Sequence, residues 1–150
     1  MPDPSPGAVL NHLIESCRDA ERGFRHAATL VTHWSMRSEF KRAAHLRAQF
    51  AIDLLPHAHR LGGAATAEGT ASASVHRHWM DAKSLLSGHD DRAILTEARR
   101  GDSVTVLAFK SAVEGELPAT VRDLVEQEYA ELCQSHERLD ELDQVIQQGT

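Results

Sequence analysis

Between Ala119 and Gln148 the chain keeps apolar residues at helical spacing for thirty residues. At about 100° per residue, Val121, Leu124, Val125, Leu132, Leu139, Leu142 and Ile146 form one stripe. A helix this long and this one-sided must bury its stripe against other helices. Two polar residues interrupt it: Glu128 falls in the middle and His136 on the shoulder. A carboxylate among aliphatic neighbours needs a cation, a hydrogen-bond partner or a metal, or else it takes up a proton.

Three more segments share this period. Ser5-Pro6 is a helix start signal, a capping hydroxyl followed by proline at the first helical position. The first helix is expected over about Gly7 to Val31, with Leu10, Leu13, Ile14, Cys17, Phe24, Ala28 and Val31 inward and Glu21 near the centre of the stripe. A tight connection at Thr32–Ser35, with Ser35 as cap, leads to a second helix over about Met36 to Leu61. Its stripe of Phe40, Ala43, Ala44, Ala51, Leu54, Ala58 and Leu61 is interrupted by Arg47. Pro56 removes a backbone donor and predicts a bend near Ile52–Leu55, and Gly62-Gly63 ends the helix. Residues 64–74 read as a small, polar loop, and Val75–Ser87 as a short helix. Asp90 and Asp91 are expected to cap a third long helix, about Arg92 to Val113, with Glu97, Asp102 and Phe109 on its flanks. Its TVLAF run has strand propensity, which the helical neighbours outweigh. Pro118 opens the fourth helix.

Composition agrees with packed helices. A hydrophobic fraction of 41% with only 5% aromatics and abundant Ala favours close helix contacts over a β-sandwich. The formal charge of −6, with cations scattered among acids, argues against a nucleic-acid partner. Cys17 and Cys133 stand in separate helices and outside any CxxC, as expected of reduced thiols. Met1–Gly7 reads as a stiff lead-in to a domain over residues 8–150 and lacks the marks of a signal peptide. With no apolar run of about 20 residues, the expectation is a cytoplasmic protein without membrane contact.

The connections set the expected topology. Short links join the first two and the last two helices into antiparallel hairpins, and nearly thirty residues lie between the pairs. Two hairpins joined by one long crossover, here carrying a short fifth helix, make an all-α, ferritin-like four-helix bundle. The runs LNHLIESCRDAERGF, HRHWMDAKSLL, ILTEARRGD and LPATVRDLV also resemble the bacterial ferritin-like four-helix-bundle domains of unknown function, over about Leu10 to Leu139. The resemblance implies that fold in a bacterial cytoplasm and no established activity. The chain departs from the family's pattern at Gly101-Asp102-Ser103, where members often carry Gly-Glu-Asp, and at Phe109, where they carry Tyr.

A di-iron centre in such a bundle takes a Glu from each of two helices and a Glu-x-x-His from each of the other two. No Glu or Asp here is followed by His three positions on: Glu128 is followed by Glu131, Glu131 by Gln134 and Asp53 by Pro56. The conventional centre is therefore not expected, and neither a metal nor another cofactor is assigned. Counting outward from the two turns matches Glu21 with Arg47, Asp102 with Glu128 and Glu97 with His136. The expected arrangement is a buried polar layer of Glu21, Arg47, Glu97, Asp102, Glu128 and His136, with the Arg47 guanidinium bridging carboxylates.

Ten histidines add little, because pairs two apart, such as His57 and His59, face different sides of a helix. Asp53 with His57, and His136 with Asp140, are expected as surface hydrogen bonds. His76, Arg77 and Trp79 on the crossover are a candidate docking surface for a partner or a second subunit. No Gly-rich phosphate loop and no GxSxG is present. The expected function is a non-catalytic binding or structural module that self-associates, with a dimer favoured. The alternative is an atypical iron- or manganese-binding oxidoreductase or storage protein.

Overall fold

A computed structural model of the chain describes residues 5–63 and 90–148. They form four helices, α1 (Pro6–Leu30), α2 (Trp34–Arg60), α3 (Asp91–Glu114) and α4 (Ala119–Gln148), with no strand among the described residues. The TVLAF run is helical within α3. The expected short fifth helix and the candidate surface of His76, Arg77 and Trp79 lie outside the described residues.

Helix boundaries follow from local chemistry. The Ser5 hydroxyl accepts the Ala8 N–H at 3.2 Å and Pro6 is the first residue of α1. α2 continues through Pro56 and ends in a Schellman motif. Gly62 sits at φ 84°, its N–H reaches the His59 carbonyl at 3.1 Å, and the Gly63 N–H reaches that of Ala58 at 2.7 Å. This end packs on the start of α1. A β-carbon on Gly7 would fall 2.5 Å from the Leu61 carbonyl oxygen, and one on Gly63 only 2.9 Å from that of Gly7.

The turn between α1 and α2 corrects two expectations. α2 starts at Trp34, and its N-cap, His33, makes no side-chain cap bond, so Ser35 is not the cap. The Asp91 carboxylate, at the start of α3, instead takes the N–H groups of Thr32 at 2.9 Å and His33 at 2.8 Å and the Thr32 hydroxyl at 2.9 Å. Asp90 alone caps α3, accepting from the N–H groups of Arg92 and Ala93. Partial burial raises the pKa of Asp91, but the hydrogen bonds from Thr32 and His33 outweigh it and hold the carboxyl below its ordinary value.

These contacts give the topology. α1 packs on α2 and α3, and α4 on α3 and α2. The end of α1 meets the start of α3 through Thr32 and Asp91, and the end of α2 approaches the start of α4 at Arg60 and Thr120. Glu39, early in α2, pairs with Arg138, late in α4. Neighbouring helices are thus antiparallel, while α2 and α3 face each other across the bundle and run the same way.

The core has two apolar compartments. One holds Leu10, Leu13, Cys17, Phe50, Leu54, Phe109, Val121 and Leu132 among its buried residues. The other holds Phe24, Val31, Met36, Phe40, Ile94, Leu95 and Leu139 among its own. Tilted aromatic pairs sit inside each, Phe50–Phe109 at 6.1 Å and Phe24–Phe40 at 5.7 Å. Between the compartments, on α2, α3 and α4, lie fully buried Arg47, Asp102, Thr105 and Ser135.

Candidate functional site

Arg47 projects from α2 into the middle of the bundle, with no exposed surface. Its Nε donates to Asp102 Oδ1 at 2.8 Å and its Nη2 to Oδ2 at 2.6 Å, a two-pronged pair between guanidinium and carboxylate. Nη1 donates to the Ala43 carbonyl at 3.0 Å and to Ser135 Oγ at 2.9 Å. The guanidinium carbon stands 4.8 Å from the centre of the Phe24 ring, within cation–π range. One side chain thereby touches α1, α3 and α4 and its own helix. Thr105 joins the layer by donating to the Ser16 carbonyl at 3.4 Å.

Asp102 also meets His136, whose Nδ1 lies 2.9 Å from Oδ2. Burial raises the pKa of Asp102, but the Arg47 charge and the hydrogen bonds from His136 and Arg47 outweigh it, and the net shift is downward. The carboxylate is therefore ionised at neutral pH, and His136 Nδ1 must carry the proton it shares. His136 reaches the surface, with 22% of its side chain exposed.

Glu128 is a different case. It is buried, and neither carboxyl oxygen has a hydrogen-bond partner among the described residues. Desolvation, with smaller repulsion from Asp53 and Glu131, pushes its pKa up to about 9, so it is a neutral acid at pH 7. Nearby Cys17 is fully buried and free, and burial raises its thiol pKa far above the ordinary value. A thiol so protonated is a poor nucleophile.

Of the six residues expected in one layer, the structure joins Arg47, Asp102 and His136 directly. Glu128 is buried without a partner among the described residues, and the other two are displaced. Glu21 lies on the flank of α1, giving one oxygen to Arg18 at 3.1 Å and the other to Arg25 at 2.8 Å. Glu97 lies on the flank of α3 and pairs with Arg100 at 2.7 Å. The expected matches of Glu21 with Arg47, Asp102 with Glu128 and Glu97 with His136 are replaced by Arg47–Asp102–His136. Counting from a turn sets a residue's level along the bundle, not its rotation about the helix. Ser135, absent from the expected set, was within reach of the sequence: it lies about 40° from Val121 on the helical wheel, nearer the stripe than His136.

Two minor expectations also change. His57 pairs with Arg60 at 2.8 Å while Asp53 accepts from Gln49, and Asp140 pairs with Arg99 instead of His136.

The donor set does not fit a di-metal centre. Both Asp102 oxygens are engaged by a permanent cation, which would repel a metal ion beside them. Among the described residues no cluster of three or more His, Cys, Asp or Glu could hold a metal. Nor is any helix among them long and apolar enough to cross a membrane.

No curated protein is similar enough to the chain to count as a match. A family model does match, over residues 6–115, which takes in α1, α2 and α3 with Arg47 and Asp102 and stops before Ser135 and His136. Since that match covers well over half of the sequence, the chain belongs to the family described as Domain of unknown function (DUF2383).

Proposed function

We propose that this domain is a non-catalytic binding or structural module built on a ferritin-like bundle, with an arginine–carboxylate layer where di-iron relatives hold metal. The observation that carries the reading is the fully buried, two-pronged Arg47–Asp102 pair, completed by Ser135 and His136. Such a pair adds little net stability over apolar packing, but it fixes which helix faces meet. Support for the ferritin-like assignment comes from the antiparallel neighbours and from α2 leaving the bundle at the end opposite to where α3 enters. In this reading the domain works in the cytoplasm through its outer surface, on a second copy of itself or on another protein.

Elemental analysis of protein purified without a His tag tests it. The expected result is iron and manganese well below one per chain. Stoichiometric iron, with ferroxidase activity lost in Glu128→Ala, would overturn the reading in favour of an atypical metal-binding oxidoreductase or storage protein.

A further inference from the structure

The outer face of the α1–α2 hairpin carries a charge pattern opposite to that of the whole chain. Between Arg18 and His45 the sequence has six arginines and lysines (Arg18, Arg22, Arg25, Arg37, Lys41 and Arg42) against three acids, in a protein of formal charge −6. Some of this charge is engaged: Glu21 takes both Arg18 and Arg25, Asp19 takes Arg22, and Glu39 is turned to Arg138 on α4. Three cations (Arg18, Arg22 and Arg25) against the two carboxylates of Asp19 and Glu21 still leave the face positive.

A groove of about 670 Å³ runs between the two helices on this face. Its floor is Ala28 and Ala44, both buried and too small to fill it. Arg25 rises on the α1 wall, and Arg37, Lys41 and His45 on the α2 wall, all exposed, and no carboxylate lines the groove. Lys41 and His45 have no ion-pair partner among the described residues. Along α2, Arg37 and His45 are eight residues apart, about 12 Å. Arg25 Nη2 is held by Glu21 at 2.8 Å and Arg37 Nη2 by the Val31 carbonyl at 2.7 Å. The donors left to the groove are therefore the remaining guanidinium N–H groups, Lys41 and His45, spread over a length greater than one phosphate.

We propose that this groove binds a ligand carrying more than one phosphate group. A tetrahedral phosphate presents acceptor oxygens to both walls at once, whereas a planar carboxylate offers two oxygens on one edge. Arginine forks and a lysine point charge are the side chains suited to that recognition. A positive groove on a negative protein also focuses the local field, drawing a polyanion to this face. The site stands apart from the Arg47 layer and does not depend on the reading given for it.

The test is calorimetric titration of the full chain with pyrophosphate at low salt, beside co-sedimentation with phosphatidylcholine vesicles containing phosphatidylinositol bisphosphate, whose headgroup also carries more than one phosphate. Lys41→Glu reverses a charge inside the groove. Arg42→Glu makes the same reversal at an exposed residue that does not line it. Circular dichroism confirms that both variants fold. Pyrophosphate binding that weakens about tenfold or more in Lys41→Glu but less than about twofold in Arg42→Glu supports the site. The same variant pattern on vesicles, without binding of pyrophosphate, supports phosphate recognition and assigns the source to a lipid headgroup. Binding of neither, or equal loss in both variants, overturns the proposal.

Discussion

Arg47 and Asp102 join α2 and α3, one of the two pairs of helices that face each other across the bundle. Their side chains meet across the bundle's diagonal through two hydrogen bonds of 2.8 and 2.6 Å, with both residues fully buried. Ser135 and the Phe24 ring complete the contact from the remaining helices.

Removing one partner should cost far more than removing both. Arg47→Met leaves Asp102 as a buried, half-satisfied anion, and a loss of about 3–5 kcal/mol is expected. The double variant Arg47→Met/Asp102→Leu should recover most of it. Urea unfolding of the two single variants and the double variant measures the coupling. A cost below about 1 kcal/mol for Arg47→Met would show that the pair does not anchor the layer.

Asp102 also sets an acid limit. Its folded pKa lies below its ordinary value, so the unfolded chain binds the proton more readily. Its contribution is present in full above the ordinary carboxylate range, near pH 4, and is lost as pH falls through the folded value. Asp102→Asn should flatten that acid edge in unfolding measured against pH. An edge unchanged in Asp102→Asn would assign the acid sensitivity to other carboxylates.

Glu128 acts in the opposite direction. Its pKa of about 9 in the folded state means that folding holds a proton the unfolded chain releases. Its favourable contribution is complete below its ordinary pKa and declines as pH rises toward about 9. Glu128→Met should therefore be more stable than the parent at pH 8, by about 1–2 kcal/mol, with the gap closing at pH 4.5. Thermal unfolding at the two pH values checks this, and a gap independent of pH would contradict it.

Asp91 ties the first turn to α3 through Thr32 and His33. Asp91→Ala should cost about 1–2 kcal/mol, as for loss of a good cap. Amide exchange should quicken at Thr32 and His33 in particular. Protection unchanged at those two amides would argue against the tie.

At the other end of the bundle, Gly62→Ala is strained by the φ of 84° and should cost about 1 kcal/mol. Gly7→Ala should cost more, because the clash is with backbone that cannot rotate away. Denaturant midpoints rank the two.

The sequence made the helices and their interruptions readable, because a 3.6-residue period records which side of a helix is buried. Arg47, Asp102 and Glu128 stand out as charges on apolar stripes, and all three are buried. Who pairs with whom was not readable. Glu21 and Arg47 sit at similar distances from the first turn, yet Glu21 rotates toward Arg18 and Arg25 on its own helix. Asp91 looks like a helix cap beside Asp90, and only the meeting of distant segments turns it onto the Thr32 amide. Local rules see a cap residue, and through-space partners appear only once helices are placed. The basic groove belongs to the same class, since Arg25 and Lys41 become two walls of one feature only when the hairpin closes.

The polar layer splits the apolar interior into two compartments with their own aromatic pairs. Side chains packed at the Phe24–Phe40 end are separated from those at the Phe50–Phe109 end by a sheet of directional bonds that tolerates little displacement. Repacking at one end is therefore insulated from the other, and double substitutions across the layer should combine additively. In effect the bundle carries two small cores on one set of helices, each free to drift in composition while Arg47 keeps them in step.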